Sequence, residues 1–181
     1  IFANPKEGLE QHISNMKKPN SSASRLGKLI EPLVKDHQNV FNTLGSYMKK
    51  LCEDYPDVNF LIKVHPGEVI DTYRNYFEKV PNLTIVGGFS TSLTEILRYS
   101  DILINWRCTT GPEGWLVDLK KKTIGFELAN PETTTLQYLS EGNDVVTSYE
   151  LLQRKISFYL SGGDTGLDLI SNRELFIEKY M

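Results

Sequence analysis

Residues 101–127 read DILINWRCTTGPEGWLVDLKKKTIGFE. An apolar run rich in β-branched residues ends at Trp106, and a polar knot of Arg-Cys-Thr-Thr-Gly-Pro-Glu follows. An amphipathic segment then leads into a second apolar run. Short apolar runs bounded by turn residues read as buried strands, and the longer segment between them reads as a helix. The stretch is therefore a strand–helix–strand unit whose two strands run parallel.

The same alternation extends on both sides. From Asp36 to Tyr55 the residues Val40, Leu44, Tyr47, Met48 and Leu51 recur at helical spacing, and DVNFLIKVHP reads as the strand that follows. Next come the helix DTYRNYFEKV and the strand LTIVGG, then STSLTEILRYS before DILINW. Beyond TIGFEL, ETTTLQYLSEGN precedes the strand DVVTS, and the helices YELLQRKISFYL and NRELFIEKY close the chain. Residues 5–35 read as irregular, with KKPNSSAS as the strongest loop signal. With IFAN as a first strand, the pattern predicts one α/β domain over residues 1–181, a Rossmann-like, doubly wound parallel sheet of about six strands. In strand order 3-2-1-4-5-6 the loops carrying Asn4, HPGE and RCTTGPE converge on one crevice at the switch point.

Composition narrows the function. A chain of 181 residues with 40% hydrophobic residues can bury a core. Its 20 basic and 23 acidic residues leave a formal charge of −3, and its longest basic run is Lys120-Lys121-Lys122, so nucleic acid is not an expected partner. Cys52 and Cys108 lie far apart without CxxC spacing, which predicts neither a disulfide framework nor a metal site and fits a reducing, cytoplasmic setting. No apolar run approaches the roughly 20 residues of a membrane span. The first residue is Ile, and IFAN resembles the tail of a strand already under way, so the expectation is a piece of a longer protein cut near a domain boundary.

Two loops carry candidate chemistry. HPGE, residues 65–68, sets His65 at a strand end that Pro66 terminates by removing an N–H. An imidazole there can donate to a phosphate or polarise an oxygen, although a plain strand end with an incidental histidine uses the same residues. His12 and His37 have no partners at useful spacing and read as solvent-facing. Thr109, Thr110 and Gly111 stand at a predicted helix start, where free N–H groups and the helix dipole favour an anion. Capping is the competing explanation: Thr110 as N-cap, Pro112 in the first turn and Glu113 three residues on form a capping box, as do Ser92 and Glu95. Cys108 reads as a small buried residue rather than a nucleophile. VGG at 86–88 is too short for a dinucleotide fingerprint. Glu127 closes a strand, where a carboxylate either reaches a ribose hydroxyl or faces water.

FLIKVHPGE taken together with DILINWRCTTGPEGWLVDLKKKTIGFE resembles the bacterial surface-carbohydrate biosynthesis proteins, and through them the carboxyl-terminal nucleotide-binding half of GT-B glycosyltransferases such as Kdo transferases and bacterial sialyltransferases. The likeness covers about residues 55–150. Pro112 and Gly114 depart from the aliphatic residue and alanine usual in that family, and KKKT replaces Gly-Lys-Pro. The resemblance implies that His65 and Pro66, with Glu68 of the same motif, bind the donor nucleotide, and that His65 stabilises the leaving phosphate. It also implies that Thr109, Thr110 and Gly111 hold phosphate and that Glu113 contacts the ribose.

The implied function is donor binding for a glycosyltransferase of capsule or lipopolysaccharide assembly, with a CMP-sugar favoured and UDP- or CDP-linked sugars as alternatives, and without a metal. The glycan acceptor and the usual catalytic base would come from an amino-terminal domain not represented here, so these residues alone would bind nucleotide and catalyse nothing. Such pathways imply peripheral association with the inner membrane face. Two other readings stay open. One is a sugar-nucleotide epimerase, for which the first loop offers only Glu7; the other is a scaffold module without catalysis.

Overall fold

The structure is a computed structural model that describes residues 22–87 and 92–181, with side chains from residue 31 onward. They form two compact units: residues 22–87 together with Asn130–Thr134, and residues 92–129 together with Thr135–Met181.

The first unit is built on α1 (Ser22–Asp54), a helix of 33 residues. Val40, Phe41, Leu44, Met48, Leu51 and Cys52 are all buried, at the spacing of three and four residues that places side chains on one helix face. The helix starts earlier than the sequence predicts, because residues 22–35 belong to it rather than to an irregular segment. Leu26, Leu29, Ile30 and Leu33 continue the same periodicity. What hides it is Pro32, whose fixed φ suits a helix while its missing N–H reads as a stop signal. The irregular stretch predicted over residues 5–21 lies outside the described residues.

At the far end of α1, the Asn82 side chain donates to the carbonyls of Cys52, Tyr55 and Val58, each at 3.1 Å. β1 (Phe60–Lys63) then pairs in parallel with β2 (Leu83–Val86), Phe60 opposite Leu83 and Lys63 opposite Val86. The crossover between them is α2 (Ile70–Tyr76). Tyr73 and Phe77 of this crossover are buried, and the Tyr73 ring meets Phe41 edge-on at 5.4 Å. Gly45 lets α1 approach α2, since a Cβ there would stand 3.0 Å from the Tyr76 ring.

The second unit opens with α3 (Leu93–Tyr99) and continues through β3 (Ile102–Asn105), α4 (Thr110–Val117) and β4 (Lys122–Phe126). After a short 3₁₀ turn at Gln137–Ser140 come β5 (Asp144–Val146), α5 (Tyr149–Leu160) and α6 (Leu167–Tyr180). ETTTLQYLSEGN therefore supplies one 3₁₀ turn instead of the expected α-helix, entered through Leu136 at φ 64°. β3, β4 and β5 form a parallel sheet in chain order, with Ile102 opposite Lys122 and Ile124 opposite Asp144.

Trp115 from α4, Leu139 from the 3₁₀ turn and Phe176 from α6 form a core cluster. Arg173 is fully buried against it. Its guanidinium donates to the carbonyl of Gly142 at 2.7 Å, to that of Lys121 at 2.9 Å and to the Thr123 hydroxyl at 2.7 Å. The lysine triplet is not a surface patch either. Lys121 is buried and donates to the Ser100 carbonyl, and Lys122 donates to that of Tyr159.

The expected single sheet of about six strands is thus corrected. Five strands are described, in two parallel sheets of two and three, accompanied by six α-helices. The expected pairings β1–β2, β3–β4 and β4–β5 are present, but IFAN, the strand expected to join the halves, lies outside the described residues. Within the three-stranded sheet the order is sequential, so no reversal of strand order, and hence no switch point, occurs in it.

Candidate functional site

In the first unit the candidate residues sit just past β1. Val64 still donates to Val86 O at 2.8 Å, and Pro66 then prevents the ladder from continuing. The chain closes a tight turn instead, with the Glu68 N–H donating to His65 O at 3.0 Å. The Glu68 carboxylate reaches back: its Oε2 accepts from the His65 N–H at 3.1 Å and from the Tyr73 hydroxyl at 3.0 Å. The Gly67 N–H donates to His65 Nδ1 at 3.1 Å. His65, Pro66 and Gly67 are exposed, Glu68 is half-buried and Tyr73 is buried. Burial in the first place, and then the Glu68 charge and hydrogen bond, hold the Tyr73 phenol well above its ordinary range.

The knot after β3 belongs to the second unit. β3 ends at Asn105, and Arg107 turns the chain at φ 39°, a left-handed conformation that is costly for a side-chain-bearing residue. A buried ion pair holds it there, Arg107 Nε lying 2.8 Å from Glu127 Oε2. Glu127 Oε1 accepts in turn from the Ser140 hydroxyl at 2.8 Å. Glu127 is therefore buried and paired rather than solvated, the more common fate of a carboxylate at a strand end. Arg107 is the residue the sequence reading overlooks; an arginine inside a strand-end knot, 20 residues before a carboxylate that ends the next strand, is its only advance signal.

The two threonines separate. Thr109 is the N-cap of α4 and makes no side-chain cap bond, so the capping box expected of Thr110 and Glu113 does not form. Ser92 likewise caps α3 without its hydroxyl. Thr110 is buried and lies 3.3 Å from Cys108 Sγ, while Thr109 is exposed. Cys108 is half-buried rather than fully enclosed, whereas burial pushes the Cys52 thiol up to about 11.

Among the first-turn amides, Gly111 donates to Cys108 O at 3.1 Å, Glu113 donates to Thr109 O at 2.9 Å, and Pro112 has no N–H. Among the described residues the Thr110 amide and the Thr109 hydroxyl have no acceptor, so they can meet an outside anion. Gly111 is small for a packing reason, because a Cβ there would come within 3.3 Å of the buried Asn105 amide. Gly114 is small for the same kind of reason, as a Cβ would lie 3.1 Å from Leu103. Glu113 is half-buried.

Beside the end of β4 a cavity of about 340 Å³ is lined by Glu127, Gln137, Tyr138, Ser140, Glu141 and Val145. The sequence reading does not anticipate it, because it takes Gln137–Ser140 for part of an α-helix. His37, expected to face solvent without a partner, is half-buried with Nδ1 2.8 Å from Leu33 O. His12 and Asn4 lie outside the described residues. Among the described residues no three His, Cys, Asp or Glu side chains gather as metal ligands, and no helix is long and apolar enough to cross a membrane.

Comparison with protein-family models, with curated proteins and with solved structures finds no match.

Proposed function

We propose that this chain binds the phosphate of a nucleotide-sugar donor, a CMP-sugar before UDP- or CDP-linked ones, as part of a cytoplasmic glycosyltransferase of surface-polysaccharide assembly. The observation that carries the reading is the HPGE turn. Its backbone is closed by Glu68 from both directions while the His65 imidazole stands exposed at a strand end. A fixed donor aimed at a phosphate oxygen stabilises charge as the sugar–phosphate bond breaks, and it does so without reorganising. The resemblance assigns phosphate contacts to Thr109 and Thr110 as well; of these, the exposed Thr109 hydroxyl is the one open to a ligand.

A second reading, a binding module without catalysis, draws on α4. Pro112 removes one first-turn donor, Gly111 spends another on Cys108 O, and Thr110 is turned inward. That start is poorer in free donors than an ordinary helix N-terminus.

Calorimetric titration of the 181-residue chain with CMP, CDP, UDP and GDP separates the readings. Donor binding predicts saturable uptake of one nucleotide, lost in His65→Ala and weakened in Thr109→Ala, with unfolding midpoints unchanged. Absence of binding by all four at millimolar concentration would sink it.

A further inference from the structure

We infer that Glu68 and Tyr73 are positioning residues that lock the His65 ring with Nδ1 accepting from the turn and Nε2–H facing outward, a one-directional donor for a phosphate oxygen. This deepens the reading above and rests on it for the identity of the ligand.

The tautomer follows from which partner can donate. A backbone N–H has only a hydrogen to offer, so His65 Nδ1, 3.1 Å from the Gly67 nitrogen, must accept with its lone pair. A neutral ring then carries its hydrogen on Nε2. Among the described residues no protein group pairs with Nε2, and the residue is exposed, so this N–H is available outward.

The turn that holds the ring is itself held. Glu68 Oε2 accepts the His65 N–H and the Tyr73 hydroxyl, and the Glu68 N–H returns a bond to His65 O. Tyr73 has 0% exposure and packs edge-on against Phe41, so its hydroxyl approaches Glu68 from a fixed point in the core. Glu68 Oε2 is committed to these bonds and Oε1 is buried, so the carboxylate does not stand open to a ligand. It acts through the turn instead. With Nδ1 occupied and a hydrogen on Nε2, the ring has no lone pair with which to deprotonate an acceptor hydroxyl. What it suits is an oxygen that only accepts, as in a phosphate ester.

Long-range ¹H–¹⁵N spectra of the imidazoles in the 181-residue chain near neutral pH test this before any ligand is added. The expected result is a single His65 tautomer, with Nε2 protonated and Nδ1 bare, whereas a protonated Nδ1 in the unaltered chain overturns the inference. Tyr73→Phe and Glu68→Gln should each mix the tautomers and weaken binding of CMP roughly tenfold, the scale of one charge-assisted hydrogen bond. His65→Gln, which keeps an amide donor near the Nε2 position, should bind CMP better than His65→Ala. Loss of CMP binding in Glu68→Gln with the tautomer unchanged would make Glu68 a ligand contact and refute the positioning role. A locked tautomer in a chain that binds neither CMP nor inorganic phosphate upholds the lock and defeats the donor-binding reading.

Discussion

Arg107 and Glu127 meet with side chains only 1% and 7% exposed, and this pair holds the knot after β3 in shape. Removing one partner strands the other charge in the interior, which typically costs about 3–5 kcal/mol, more than the pair itself contributes. Arg107→Met should therefore lower the urea unfolding free energy by roughly that amount, and Arg107→Met/Glu127→Met should recover part of it. Equal losses in the single and double variants would show that the charge pair is not what holds the turn. At this scale the sequence names the right residue types and misjudges their directions. Thr109 and Thr110 are adjacent hydroxyls that differ only by one residue of helix phase, yet one faces solvent and the other Cys108. The capping-box spacing at Thr110 and Glu113 fits in sequence, but the helix begins one residue too early for Thr110 to serve as its cap.

Among the elements, α1 shows how a local signal and a periodic one compete. Pro32 and a serine-rich run argue for a break, the apolar spacing argues for continuation, and the helix runs unbroken from Ser22 to Asp54. Its carboxyl end depends on a residue that no helix rule would point to. Asn82, just before β2, donates to three carbonyls around the end of α1 and the turn after it. Asn82→Ala should cost about 1–3 kcal/mol in chemical denaturation. Asn82→Asp should cost more, since it exchanges the donor for a charge facing three carbonyl oxygens. An aspartate variant as stable as the asparagine would contradict the assignment. The β-strands are the most legible elements, because five short apolar runs fall on β1 to β5. ETTTLQYLSEGN is less legible: its apolar residues suit a helical face, but only Gln137–Ser140 turn, as a 3₁₀ helix entered through Leu136 at φ 64°.

For the whole molecule, the decisive contact is one that no sequence pattern announces. The Asp36 carboxylate, fully buried on α1, accepts from the N–H groups of Glu132 at 2.7 Å and Thr133 at 3.0 Å, nearly a hundred residues away. This brings Asn130–Thr134 into the first unit although the chain on both sides of it belongs to the second. Asp36→Ala should cost about 2–3 kcal/mol for two charge-assisted bonds and should speed amide exchange at Glu132 and Thr133 before exchange elsewhere in the first unit. Unchanged protection at those two amides would remove Asp36 from that role. The strand–helix alternation, the parallel pairing of neighbouring strands, the buried face of α1 and the strand end at His65 are written into local sequence, because periodicity and proline stereochemistry act over a few residues. The two sheets of the described residues, the inward turn of Thr110, the burial of Glu127 on Arg107 and the reach of Asp36 to Glu132 are settled in the folded chain. Each of these depends on groups far apart in the chain, and burying a charge or a hydroxyl is favourable only where such a distant partner is present to satisfy it.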